Sequence, residues 1–263
     1  MSLTPKTLEE HRSYLYDICR LKFFFMARWL KEHPEEEFSA VLRNRVDIFR
    51  KTDFNPEGLN PEGFYFDDPR WLAFEKRLEE IYALVNGDEK CFEEWGFDLV
   101  RPHIDNRCER DYLDQSRLAG YQCGFLRHNL LLTPERPDVL GFHIANNRQP
   151  YSFFDDMEYV KECFNKLLDI AEEKFGVSKI GTGTWLNNHP KWLALFPEEW
   201  HKNMNPPNTE VSWHYGFWGQ FITSRGTFNA KAAAKVRETG HLPCFPRYSC
   251  CSTQAMRAHI NSL

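Results

Sequence analysis

The stretch VLGFHIANNRQPYSFFDDMEYVKECFNKLLDIAEEKFGVSKIGTGTWL, Val139 to Leu186, decides the fold. It opens on an apolar run, Val139 to Ala145, that reads as a strand. Asp155 or Asp156 then caps a helix whose Val160, Phe164, Leu167, Leu168, Ala171 and Phe175 form one apolar stripe, closed by Gly176. Val177 to Leu186 reads as a second strand. A strand, a helix and a strand in that order predict two parallel strands joined by a crossover, with both C-terminal ends on one edge of a sheet. Open sheets containing such units bind ligands at that edge.

The chain reads helical on the N-terminal side. Tyr14, Leu15, Ile18, Leu21, Phe25, Trp29 and Leu30 recur at helical spacing between Pro5 and His33, and Phe38, Val41, Leu42, Ile48 and Phe49 continue the pattern. Two copies of N-P-E-G in Asn55 to Gly63 predict a pair of turns. Asp68-Pro69 starts a helix carrying Trp71, Phe74, Leu78, Ile81 and Val85, and a short one is expected over Glu89 to Trp95. Beyond Gly120 a strand is expected within Tyr121 to Leu132, a short helix over Pro190 to Phe196, and an aromatic-rich strand over Val211 to Thr223. Helices follow over Thr227 to Thr239, ending at Gly240, and from about Ser252. The fold class is therefore α+β (or α/β): a helical N-terminal region, 1–118, packed on a mixed sheet with flanking helices, 119–263, expected as one compact unit.

Composition narrows the function classes. Hydrophobic residues make up 42% and aromatics 15%, with 22 Phe and 8 Trp, enough for a large core and an aromatic pocket. A net charge of −5 without long single-sign runs gives no footprint for nucleic acid or an anionic membrane. No run reaches the roughly 18 to 20 apolar residues of a membrane span. The opening MSLTPKTLEEHR lacks a signal-like apolar segment and the eight cysteines are scattered, so a cytoplasmic protein with reduced thiols is expected. A small-molecule ligand is the expected partner, and the sequence leaves a homodimer open.

Four constellations could carry chemistry. In Gly141 to Pro150, His143 lies within the strand while Asn146, Asn147 and Arg148 emerge at its end, where an Arg fork can grip a carboxylate or phosphate. Turn hydrogen bonds by the amides and a core position for His143 explain the same residues. In Gly181-Thr-Gly-Thr-Trp-Leu-Asn-Asn-His-Pro190, Trp185, Asn187 and Asn188 fall on the same edge, although Asn188 or His189 equally serves to cap the helix opened by Pro190. In Ser212 to Gly226, strand alternation puts Trp213, Tyr215 and Phe217 on one face and His214, Trp218 and Gln220 on the other, a mixture suited to a ligand wall or an ordinary edge strand, with Arg225 beyond it. His214 or His143 is the expected acid or base. The fourth, His241 to Cys251, offers His241, Cys244, Cys250 and Cys251 as soft ligands, but H-x2-C-x5-C-C lacks the paired spacing of zinc knuckles. Iron or zinc on His143, His189, His214 or Asp155 has no recognisable ligand spacing. No G-x-x-x-x-G-K-[ST], H-E-x-x-H, G-x-S-x-G or G-x-G-x-x-G is present.

Gly183-Thr-Trp-Leu to Leu195-Phe-Pro197, followed by Trp218-Gly-Gln-Phe221, resembles a pattern of uncharacterised bacterial proteins that pair a T-W-L segment before L-F-P with a later W-G-Q-F. More distantly, a strand with His-Ile, a long helix and a strand ending in T-W-L is similar to the C-terminal domain of GNAT-like acyltransferases. That likeness implies an acyl or group transferase acting on a polar metabolite, with acyl-CoA as cofactor and the strand around Ile180 to Leu186 splayed from its neighbour. Arg148-Gln-Pro-Tyr-Ser-Phe stands where the family has a glycine-bearing pyrophosphate motif, which puts acyl-CoA in doubt. The alternative is a non-catalytic metabolite-binding or protein-interaction module.

Overall fold

Thr7 Oγ1 accepts from the Glu10 amide while the Glu10 carboxylate accepts from the Thr7 amide, a capping box that opens helix α1, Leu8–Glu32. The computed structural model describes residues 4–59, 63–114, 121–209 and 215–263. The chain divides into two compact units, one comprising Lys6–Asp114 and Val211–Pro243, the other Met1–Pro5, Gln115–Glu210 and Cys244–Leu263. The first is helical among its described residues; the second holds the sheet. Residues 211–243, read from sequence with the sheet region, group with the helices instead.

In the helical unit, α1 is followed by α2, Phe38–Val41, α3, Pro69–Leu84, and α4, Glu89–Leu113. Asp68 caps α3 with Pro69 at its first position, as the sequence predicts. The short helix expected from Glu89 is 25 residues long. Its buried Phe92, Phe97, Val100, Ile104 and Cys108 carry it past two breakers, Gly96 and Pro102. Gly96 lets α1 approach: a Cβ there would stand 3.3 Å from the Phe23 ring. The first N-P-E-G copy turns on Gly58 at φ +68°, while the second lies partly outside the described residues.

The strand expected over Val211 to Thr223 is corrected for its described part. Tyr215–Trp218 is helix α8 and Gly219–Phe221 a 3₁₀ turn. Phe217, Trp218 and Phe221 are buried, with Trp218 Nε1 donating to Arg45 O at 3.1 Å and its ring 5.7 Å from Phe25. Their i, i+1, i+4 spacing is helical, and the two-residue alternation was coincidental. Helix α9, Ala230–Thr239, closes at Gly240 with φ +75°.

The other unit carries a mixed sheet of order β1-β2-β3-β4: Leu126–His128, Val139–Ile144, Lys179–Thr184 and Arg247–Ser252. The outer pairs are antiparallel and β2 runs parallel to β3 across helix α5, Met157–Asp169. The crossover read from Val139 to Leu186 is thus present, and the fold is α+β. Strand β1 is shorter than the expected 121–132 because Tyr121 to Gly124 forms a turn with Gly124 at φ +67°.

Strand alternation gives the sheet two unlike faces. Leu140, Phe142, Ile180 and Cys251 enter a core with Phe164, Leu167 and Leu168 of α5, Trp192 of α6, Pro190–Leu193, Trp200 of α7, Glu198–Lys202, and Met256 of α10, Thr253–Ile260. Each such side chain stabilises the unit by about 1.5–3 kcal/mol. The opposite face carries Arg127, His143, Gly141, Gly181, Gly183, Tyr248 and Cys250. Outside β4 a strap occupies the sheet edge: Asn205 N donates to Tyr248 O at 2.9 Å and Asn208 N to Pro246 O at 2.8 Å. Among the described residues no helix is long and apolar enough to cross a membrane.

Candidate functional site

On the face turned away from the core, register aligns two cross-strand rows. Arg127 stands opposite His143, and Gly183 opposite Tyr248; Gly141 stands opposite Gly181, and Gly181 opposite Cys250. Three glycines therefore lie in the middle of the sheet; the Asn129 amide covers Gly141 and the Tyr248 hydroxyl covers Gly181, while the space over Gly183 is open. The β2–β3 ladder comprises only Val139/Lys179, Leu140/Ile180 and Gly141/Gly181. Beyond it, β2 pairs outward with β1 through residues 142–144 and β3 pairs outward with β4 through residues 182–184. The two parallel strands thus part immediately after the glycine pair, and His143 lies on the parted section.

His143 is exposed, and its Nε2 lies 3.0 Å from Asn129 Oδ1. A carbonyl oxygen only accepts, so Nε2 carries the proton and Nδ1 keeps its lone pair. Desolvation by the surrounding chain, then the Arg127 charge across the strand pair, lowers the His143 pKa below the usual histidine value. Both effects favour the neutral imidazole, the form a general base requires.

Two glycines of the floor respond differently to a side chain. A Cβ on Gly181 would lie 2.5 Å from Tyr248 Oη and 3.0 Å from the Ser249 carbonyl, whereas one on Gly183 meets only Tyr248 Cδ2 at 3.9 Å. Gly181→Ala is expected to destabilise the protein by about 1–3 kcal/mol through overpacking. Gly183→Val should stay within about 1 kcal/mol of wild type, since a β-branched residue suits a strand. Urea unfolding midpoints compare the two, and equal losses would contradict the open floor.

The two polar clusters expected at the strand ends do share an edge. The His189 ring stacks on Phe154, 5.7 Å apart at 14°. Most of their amides, however, hold the chain's own backbone. Asn146 accepts from Arg148 N and donates to Tyr151 O, while Asn147 Oδ1 accepts from Tyr159 Oη at 2.9 Å. Asn187 is fully buried; its Nδ2 donates to Thr182 O and Arg247 O, and its Oδ1 accepts from Trp192 Nε1. Asn188 donates to Trp185 O and Phe245 O, which fixes the turn that Trp185 begins.

Arg148 is 2.6 Å from Asp156, the residue that caps α5 by accepting from Tyr159 N. Asp155, Asp156 and Glu158 make that helix start a poor place for a pyrophosphate, because like charges meet there. The expected aromatic wall lies elsewhere in the chain. Trp218 and Gln220 are buried within the helical unit, where Arg225 also pairs with Glu10 at 2.8 Å. Trp213 and His214 lie outside the described residues.

Sequence reasoning passed over Arg127, Asn129, Arg136, Tyr248 and Asn205. Only the cysteines of Arg247 to Ser252 drew attention, yet the buried Ser249 and Cys251 alternate with Tyr248 and Cys250 as a half-covered strand requires. That same alternation sends the Cys250 and Cys251 thiols to opposite faces, so they cannot join one zinc site. Among the described residues no group of three or more His, Cys, Asp or Glu is placed to hold a metal ion. Tyr248 Oη is buried without a hydrogen-bond partner, and burial, followed by Cys250, pushes its pKa up to about 12. No family model, curated protein or solved structure matches the chain.

Proposed function

We propose that the glycine-floored face acts on a small polar metabolite, as a group transferase of the GNAT-like acyl-transferring kind, with His143 as general base. The observation that carries this reading is the parting of parallel β2 and β3 after Gly141/Gly181, with a neutral imidazole of fixed tautomer at the opening. An acceptor amine or hydroxyl bound there would give its proton to His143 Nδ1 as it attacks the acyl carbon, and the leaving thiolate would depart with the donor. A thioester donor would have to place its pyrophosphate away from the start of α5, where Asp156 already occupies the helix amides. Incubation of the protein with acetyl-CoA and longer thioesters, each with a panel of amino-acid and amine acceptors, tests the proposal through thiol release. Release that depends on the acceptor supports it; none across the panel sinks it.

The second reading is a binding module without chemistry. It is favoured by the lack, among the described residues, of a carboxylate hydrogen-bonded to His143, whose partner is the neutral amide of Asn129. Ligand binding with no turnover under the same conditions would decide for it.

A further inference from the structure

Beside the His143 row, a cleft of about 370 Å³ is lined by Arg136, Asn205, Pro206, Pro207, Asn208, Thr209 and Tyr248. That size falls within the range of metabolite pockets. Arg136 sits over the Tyr248 ring, its guanidinium carbon 3.8 Å from the centroid. Stacking pre-organises the planar fork and leaves its N–H edge for a ligand. Among the described residues Arg136 makes no ion pair, because the neighbouring Asp138 carboxylate is taken by Lys179 at 2.8 Å.

The strap discriminates between anions. The Asn205 and Asn208 amides are spent on Tyr248 O and Pro246 O, and Pro206 and Pro207 have no N–H to give. The wall therefore offers no run of backbone amides of the kind that cradles a phosphate dianion. Besides the Asn208 and Thr209 side chains, what it offers is one guanidinium fork, the Asn205 side-chain amide, and the rigid apolar surface of two prolines. A carboxylate matches that fork in charge and in geometry.

We propose that this cleft binds a metabolite through its carboxylate, with Arg136 as a bidentate clamp held on Tyr248. The inference deepens the transferase reading by naming the ligand class at the same sheet face, and rests on it only for the claim that the ligand is the substrate. Tyr248 is a positioning residue here: its hydroxyl points at Gly181 and its ring supports the guanidinium.

The test is an NMR titration of the whole chain, following the Asn205 and Asn208 backbone amide signals, which every variant keeps, and in wild type also the Arg136 side-chain Nε–H signal, assigned by its loss in Arg136→Gln. The probes are succinate, benzoate and N-acetylglycine, with inorganic phosphate as the other arm. At least one carboxylate is expected to saturate with Kd below about 10 mM. Binding should weaken at least tenfold in Arg136→Gln and in Tyr248→Leu, and change less than threefold in Tyr248→Phe, which keeps the ring. Arg136 is exposed, so its replacement should leave the unfolding midpoint in place and the loss readable. The proposal is overturned if no carboxylate saturates, if binding persists in Arg136→Gln, or if phosphate binds more tightly than every carboxylate. The same titration on His143→Gln separates the two readings: carboxylate binding that survives there stands whatever becomes of the transfer chemistry.

Discussion

His143→Gln should lower the rate of the proposed transfer reaction by about 10²–10⁴-fold, the usual contribution of a positioned base. Glutamine keeps a donor toward Asn129 Oδ1 but has no basic nitrogen in place of Nδ1. The pH profile carries the sign. Desolvation and Arg127 favour the neutral imidazole, so the active form persists as pH falls through the usual histidine value of about 6.5 and is lost only below it. Arg127→Gln removes the like charge, so the acid limb of the profile should move up in pH while the rate above pH 8 changes little. A limb that stays in place in Arg127→Gln, or a rate unaffected by His143→Gln, would remove His143 from the chemistry.

Asn187→Ala should cost about 3–5 kcal/mol of folding stability. It strips three bonds at once in a fully buried position: donation to Thr182 O at 3.2 Å and Arg247 O at 2.7 Å, and acceptance from Trp192 Nε1 at 2.9 Å. Each orphaned buried group costs about 1–3 kcal/mol. Asn187→Asp should also fall short, since a carboxylate accepts from Trp192 but cannot donate to two carbonyls. Urea unfolding of both variants checks this, and a loss below about 1 kcal/mol for the alanine would mean that the loop holds without its amide.

What could be read from the sequence was what local pattern determines. The stripe of Val160, Phe164, Leu167, Leu168 and Ala171 marks a helix with one face on the core, and Gly176 ends the run at φ +64°. The flanking strands and their shared edge follow from it. Long-range pairing was not legible: nothing in Arg247 to Ser252 announces β3 as its neighbour, and so Tyr248 and Arg136 went unread. Residues 215–221 misled for the opposite reason, since Gly216 and Gly219 weaken any local preference and aromatic residues suit a strand as readily as a buried helix. The amides of Asn146, Asn187 and Asn188 show the limit of residue type as evidence. An amide near a strand end holds a turn as well as a ligand, and only its partners in the fold tell which.

The proposed place for a small-molecule ligand is the sheet face opposite the core, over Gly183, where the floor is open, beside His143 and Tyr248. A thermal-shift screen of amino-acid-like carboxylates and acyl thioesters against wild type and Gly183→Val tests it most directly. A ligand at a hundred times its Kd stabilises the native state by about 2.7 kcal/mol, a rise of several degrees in Tm for a chain of this size. Such a rise is expected in wild type and should vanish in Gly183→Val, whose side chain occupies the open space over the strand without disturbing the fold. A ligand that stabilises both proteins equally would place the site elsewhere and contradict it.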